Sequence, residues 1–369
     1  MFLKKIAERI TGKVSERITG KANENIAGKV AGKITENIAA KVSSNITENV
    51  TERLYPDRCR DRVIGLPDEI VLETTNKCNL RCTMCHVHSE DLTKNRPEGF
   101  MAEGLWKKII DEISGWDKTV NLYTFGAGET LLYPRFSEII GYAARFPNIT
   151  TGFLTNGMLL SRARARELID LNIGWIGISL DGTDAAFVEK YRKGAKLGVI
   201  EDNIRSLVEE RGSAKKPCLR INMTLIPGGE EQLGGFLSKW LPLVDEVMTS
   251  KYRPLGERTF LDVKMSRTPC HILNKMMVVG WDGRVGLCCE DNFIEHEMGN
   301  VVNSGLEDIW YGNGFQSVRT LHQEGLFHKI GLCKECDVWS TNSQVNQYVS
   351  DEGYIVKTYT NQNVYTIGG

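Results

Sequence analysis

Residues 69–85 read Glu69-Ile70-Val71-Leu72-Glu73-Thr74-Thr75-Asn76-Lys77-Cys78-Asn79-Leu80-Arg81-Cys82-Thr83-Met84-Cys85. The first seven, EIVLETT, have the composition of a strand. That strand leads into a loop carrying three cysteines at C-x3-C-x2-C spacing. Three thiolates on a short loop can occupy three irons of a cubane and leave the fourth open, whereas an electron-transfer cluster is closed by four cysteines. Zinc is the competing occupant, but its sites favour paired C-x2-C units and a fourth ligand, a place that His86 or His88 would have to take.

Outward from this loop, strand and helix signals alternate, the pattern of an α/β domain with a parallel sheet. Strands are expected at 69–75, 120–125, 149–154, 175–180, 218–225 and 244–249, with helices at 105–113, 161–171 and 200–210. Each strand ends in a polar or Gly-rich loop, where a parallel barrel keeps its active site.

With these residues in view, the chain resembles the radical SAM superfamily, whose hallmark is C-x3-C-x-φ-C; Met84 stands at φ. Gly126-Ala127-Gly128-Glu129-Thr130 resembles the family's Gly-Gly-Glu-Pro element, with Thr130 where proline is usual. The resemblance implies that Cys78, Cys82 and Cys85 hold a [4Fe–4S] cluster. It also implies that Gly126, Gly128 and Glu129 receive the amino group of S-adenosylmethionine (SAM), with Met84 in the same site. Ser179 and Asp181 resemble polar contacts to the ribose or carboxylate, Arg192 a partner of the carboxylate, and Asn222 a ribose contact. Asn156 reads as a turn residue. The implied fold is a partial (β/α)6 TIM-like barrel. The implied chemistry is reductive cleavage of SAM to a 5′-deoxyadenosyl radical, which abstracts a hydrogen atom from the substrate.

Beyond the barrel, Cys270 and Cys288 follow C-x12-G-x4-C through Gly283, and Cys333 and Cys336 form a C-x2-C pair. This resembles the SPASM and twitch auxiliary-cluster domains. Trp281-Asp282-Gly283-Arg284-Val285 reads as a two-residue Asp-Gly hairpin turn, and residues 306–310 match the helix that lies between the cysteine pairs. No cysteine follows Cys336, so the resemblance implies ligands for one auxiliary cluster: Cys270, Cys288, Cys333 and Cys336. Cys289, next to Cys288, is the substitute ligand, and structural zinc is the alternative occupant. The spacing resembles that of the 2-deoxy-scyllo-inosamine dehydrogenases, which oxidise an aminocyclitol alcohol. A fully ligated cluster suits electron acceptance and therefore net oxidation.

The chain has 369 residues, 41% hydrophobic, with a net charge of −1 and ten cysteines. Nothing in the charge balance points to nucleic acid. No run approaches the roughly 18 apolar residues of a spanning helix, and no secretory pattern opens the chain. The cytoplasm is the expected compartment, where thiols stay reduced. Eight cysteines fall into the two groups above, and Cys59 and Cys218 read as ordinary.

Residues 1–54 are different in kind. Apolar residues recur at every fourth position from Ile6 to Leu54 over an eight-residue repeat, clearest in ERITGKVS and ERITGKAN. Such a stripe drifts about 40° per step around a helix, which excludes an ordinary heptad coiled coil. Ten Lys/Arg against six Glu favour an interfacial helix that makes peripheral membrane contact. An oligomerisation arm and a disordered tail are the other readings.

Four segments result: the repeat at 1–54, a barrel at 66–255, a SPASM/twitch domain at 265–345 and a C-terminal tail at 346–369. The expected activity is net oxidation of a sugar, cyclitol or lipid-linked polar group, using two [4Fe–4S] clusters, SAM and a one-electron reductant such as flavodoxin or ferredoxin. The alternatives are a maturase of a ribosomally made peptide and a non-catalytic iron–sulfur scaffold.

Overall fold

The computed structural model describes residues 64–89, 96–254, 267–341 and 344–367. The chain divides into two units, Met1–Ile64 and Gly65–Gly369. The repeat at 1–54, its interfacial reading and Cys59 lie outside the described residues, and the architecture below is that of the second unit.

In chain order the first part runs β1 (Glu69–Leu72), β2 (Arg81–Cys82), α1 (Glu103–Ser114), β3 (Val120–Tyr123), α2 (Phe136–Ala143), β4 (Ile149–Thr155) and α3 (Arg162–Asp170). It continues with β5 (Trp175–Ser179), α4 (Ala185–Tyr191), β6 (Arg192–Lys193), α5 (Leu197–Arg211), β7 (Cys218–Leu225), α6 (Leu233–Trp240) and β8 (Glu246–Lys251). The strands β1-β3-β4-β5-β7-β8 lie side by side in that order, all parallel. This is the stacking expected of a partial (β/α)6 barrel, since each crossover carries a helix back over the sheet.

Burial shows why these residues form these elements. All four β1 residues are buried, as befits a strand covered on both faces. Along β7, Leu219, Ile221 and Met223 are buried in alternation. On α1, Leu105, Trp106, Ile109, Ile110 and Ile113 form the buried stripe of an amphipathic helix. Phe136 of α2 meets Phe153 of β4 edge-on at 4.9 Å, which identifies the helix-covered face. Tyr123 and Trp175 stand in register across Gly152 on the opposite face, and Arg220, two residues beyond Trp175's partner Cys218, shares that face.

The sheet does not close. β9 (Met276–Val279) pairs parallel with β1, followed by antiparallel β10 (Arg284–Gly286) and β11 (Gly299–Asn300). Three small helices follow: α7 (Leu306–Trp310), α8 (Asn313–Gln323) and α9 (Gly331–Lys334). At the other edge, β12 (Gln344–Val349), β13 (Tyr354–Tyr359) and β14 (Gln362–Ile367) form an antiparallel meander, and β14 adds to β8. Residues 346–369, expected from the sequence to be a tail, are instead mostly strand. They complete a twelve-stranded sheet.

One local expectation is corrected. The turn between β9 and β10 is a three-residue loop, Trp281-Asp282-Gly283, closed by Gly283 N–H to Gly280 O and Gly280 N–H to Arg284 O. Gly283 sits at φ +85°, the left-handed third position that follows a type I turn. Glycine there allows the bulge that a two-residue Asp-Gly turn would not contain.

Candidate functional site

The cysteine loop starts where β1 ends and is clamped on three sides. On one side is the 126–129 loop that follows β3. Glu129 N–H donates to Lys77 O at 2.8 Å. A side chain at Gly128 would lie 2.5 Å from both Lys77 O and Thr75 O, so only glycine permits this approach. Glu129 is 3% exposed. Its carboxylate accepts from Leu131 N (3.1 Å), Thr155 Oγ1 (2.8 Å) and Asn156 N (2.8 Å), while burial pushes its pKa up. Asn156 Nδ2 in turn donates to Asn79 Oδ1 at 2.8 Å, inside the cysteine loop. Asn156, read as a turn residue, thus ties the loop to β4.

On the second side, β2 pairs with β6, setting Cys82 opposite Arg192. Arg192 forks onto Asp181, Nε to Oδ2 at 2.7 Å and Nη2 to Oδ1 at 2.9 Å. Asp181 is fully buried, and its Oδ1 also accepts from Thr224 N at 2.9 Å. Asp181 and Arg192, which the resemblance directs toward SAM, are joined to each other. The pair braces the strand ends, and Arg192 remains as the cation beside Cys82 and Cys85.

Glu73 and Arg96 hold the third side, and the sequence reading singled out neither. They form a buried pair, Nη2 to Oε1 at 2.5 Å with side chains 1% and 6% exposed. Glu73 also accepts from Ala127 N (3.2 Å), and Arg96 donates to Asn292 O (3.0 Å). This joins the cysteine loop to the segment after Cys288. Phe293 of that segment packs, as Cys78 and Cys85 do, against buried Val87 and Ala127. No short motif marks the pair, because its partners come from four distant stretches of chain.

Burial raises the three thiols: Cys78 to about 11, Cys82 and Cys85 upward against the opposing pull of Arg192. The three lie near enough for each charge to raise the pKa of Cys78. Met84, half-buried, stands between two of them. Ser179 and Asn222 are register partners on β5 and β7. Both amide atoms of Asn222 are buried without a protein partner, and such orphaned groups fit a polar ligand.

The second cysteine set converges as well. Cys270, Cys288, Cys333 and Cys336 line one enclosed cavity, together with Arg267, Glu290, His322 and Trp339. The thiols of Cys270, Cys288 and Cys336 are likewise raised by burial. Cys289 is absent from the cavity lining and exposed at the surface. Among the described residues, no three His, Cys, Asp or Glu side chains converge on one point as ligands of a single ion. Thiols spread around a cavity, with buried donors of Arg267 and His322 lacking protein partners, fit a multi-iron cluster with acceptor sulfurs.

Comparison with known proteins agrees with this geometry. Residues 72–232 match the model of the Radical SAM superfamily, and residues 270–337 match SPASM, an iron-sulfur cluster-binding domain. The tungsten-containing aldehyde ferredoxin oxidoreductase cofactor-modifying protein of Pyrococcus furiosus is 25% identical over 318 residues, 73% of this chain and 87% of that protein. The S-adenosyl-L-methionine-dependent 2-deoxy-scyllo-inosamine dehydrogenase of Niallia circulans is 23% identical over 276 residues, 74% of this chain and 94% of that protein. Among solved structures, BtrN in complex with AdoMet and 2-DOIA superposes with a TM-score of 0.53 at 22% identity, over 76% of this chain and 96% of that one. Streptococcus suis SuiB bound to S-adenosylmethionine gives 0.57 at 15% identity, over 91% and 83%. These structural likenesses speak for the fold. The two domains imply SAM and [4Fe–4S] clusters as cofactors. From the cysteine loop, the glycine clamp, the six parallel strands and the two matched domains together, the chain is an enzyme of the radical SAM superfamily.

Proposed function

We propose that this enzyme carries out a net two-electron oxidation of a polar small molecule, a sugar, cyclitol or lipid-linked group. In this reading Cys78, Cys82 and Cys85 hold the SAM-binding cluster, and Cys270, Cys288, Cys333 and Cys336 hold the auxiliary one. Asn222, Ser179 and Met84 face SAM, and Gly126, Gly128 and Glu129 shape its amino-group side. Arg192 and Asp181 brace the loop from the strand ends. With both clusters and SAM bound, the cofactors supply a hydrogen-abstracting 5′-deoxyadenosyl radical. The chain's own part is to seat the open iron beside the strand ends, keep water away, and provide an exit for the second electron.

The observation that carries this reading is the enclosed four-thiol cavity. A cluster with all four irons ligated by protein exchanges electrons rather than binding substrate. Oxidation of a carbinol then balances as one hydrogen atom to the adenosyl carbon, one proton to solvent and one electron to that cluster. The likeness to a 2-deoxy-scyllo-inosamine dehydrogenase over 94% of its length supports the same class. A peptide substrate is the second reading, favoured by likeness to a PqqA peptide cyclase of Rhodopseudomonas palustris, 27% identical over 126 residues. A one-electron reductant such as flavodoxin or ferredoxin serves either reading. Among the described residues no helix is long and apolar enough to cross a membrane, and membrane contact in this proposal rests on residues 1–54.

The test is anaerobic turnover of reconstituted protein with SAM, dithionite and a panel of aminocyclitols and sugars. A product lighter by two hydrogens, formed one-to-one with 5′-deoxyadenosine, is expected. A crosslinked peptide formed with no small-molecule oxidation would transfer the assignment to the second reading.

A further inference from the structure

We propose that His322, with Arg267 beside it, donates a hydrogen bond to the auxiliary cluster and so raises its reduction potential. This deepens the reading above and rests on its four-cysteine assignment. His322 lies in the last turn of α8 and is 2% exposed. Its Nδ1 accepts the backbone N–H of Cys270 at 3.3 Å. A ring nitrogen that accepts carries no proton. The ring's proton therefore resides on Nε2.

That Nε2 is buried without a protein partner, and the ring lines the cavity bounded by the four cysteines. A buried N–H without an acceptor is disfavoured, and cluster sulfurs are the acceptors such a cavity would provide. Arg267 lines the same cavity, its Nε likewise buried and unpartnered. Its guanidinium stacks 3.8 Å from the Phe327 ring centre and lies close enough to interact with Cys333, Cys336 and Cys270. Glu290, the carboxylate on the cavity wall, is paired with Arg253 at 2.7 Å. Asp337, next to Cys336, is a second carboxylate whose charge reaches that thiol, so the His322 donor and the Arg267 cation act against a negative background. Both favour the more negative, reduced cluster, and hydrogen bonds and charge near the sulfurs are established controls of potential. A raised potential suits a cluster that accepts an electron.

The experiment is an EPR-monitored redox titration of the full-length holoenzyme. For His322→Leu we expect the auxiliary potential to fall by about tenfold in the oxidised-to-reduced ratio, about 59 mV for one electron. For His322→Gln, which can accept at one atom and donate at the other, it should stay near wild type. Arg267→Gln should move it in the same direction and Arg267→Lys less. The first cluster should not move. An exchangeable proton coupled to the auxiliary cluster, read by ENDOR in H2O against D2O, should vanish in His322→Leu and persist in His322→Gln. Wild-type potentials in both His322→Leu and Arg267→Gln at full iron content would overturn the inference. If His322→Leu fails to hold the cluster, an unshifted Arg267→Gln overturns it alone. Wild-type protein with about four irons instead of about eight would instead defeat the two-cluster reading on which it rests.

Discussion

Arg192 illustrates how a single side chain can serve the site through a buried neighbour. Its fork onto fully buried Asp181 removes a charge problem at the end of β5 while leaving a cation near Cys82 and Cys85. Breaking a buried ion pair by removing one partner is expensive because the other charge stays uncompensated. Arg192→Met is therefore expected to lower apoprotein stability by about 3–5 kcal/mol in urea unfolding. Asp181→Asn combined with Arg192→Met should recover part of that loss, since an amide oxygen still accepts from Thr224 N. A loss below about 1 kcal/mol, the ceiling typical of exposed pairs, would mean that the pair is solvated and not a brace. Glu129 is braced in a similar way: Thr155 and Asn156 donate to its carboxylate and tie the loop after β3 to the end of β4.

At the scale of elements, the glycine loop after β3 and the cysteine loop after β1 form one device. Gly128 lets two backbones approach, and Glu129 N–H then bonds to Lys77 O. An alanine at 128 would push against two carbonyl oxygens, which belong to the backbone and cannot swing aside. Gly128→Ala is expected to reduce iron after reconstitution from about eight toward about four per chain, with SAM cleavage lost in parallel. Gly104→Ala in the first turn of α1, where the added carbon meets nothing within 4 Å, should leave the iron content unchanged. Full iron in Gly128→Ala would show that the loop yields without cost.

For the whole molecule, both edges of the six-stranded core are occupied by other strands. β9 covers β1, and the β12–β14 meander covers β8, so neither end of the parallel core is left as an open template for association. The unit Gly65–Gly369 holds both cysteine sets, and its contacts separate it from Met1–Ile64. On the interfacial reading of residues 1–54, deleting residues 1–63 is expected to abolish liposome binding while leaving a folded protein with about eight irons and undiminished uncoupled SAM cleavage. The peptide 1–54 should gain helix on anionic vesicles, where Lys13, Lys21, Lys29, Lys33 and Lys41 meet the head groups. Concentration-dependent helix with no response to vesicles would assign the repeat to oligomerisation.

The sequence by itself determined the cofactor class, the order of the parallel core and the grouping of the thiols. These properties are local: three cysteines within eight residues, apolar alternation along β7, a glycine pair directly after a strand. Strand order in such a core follows from successive crossovers, so reading the elements in order nearly reads the sheet. Tertiary structure decided what depends on distant partners. It joined Arg192 to Asp181, closed Glu129 with donors from the end of β4, and paired Glu73 with Arg96. It also set His322, 52 residues from Cys270, against that residue's backbone. The three C-terminal strands were hidden for a related reason. Their residues are mixed in polarity, and the open edge of β8 supplies the hydrogen bonds that make β14 a strand.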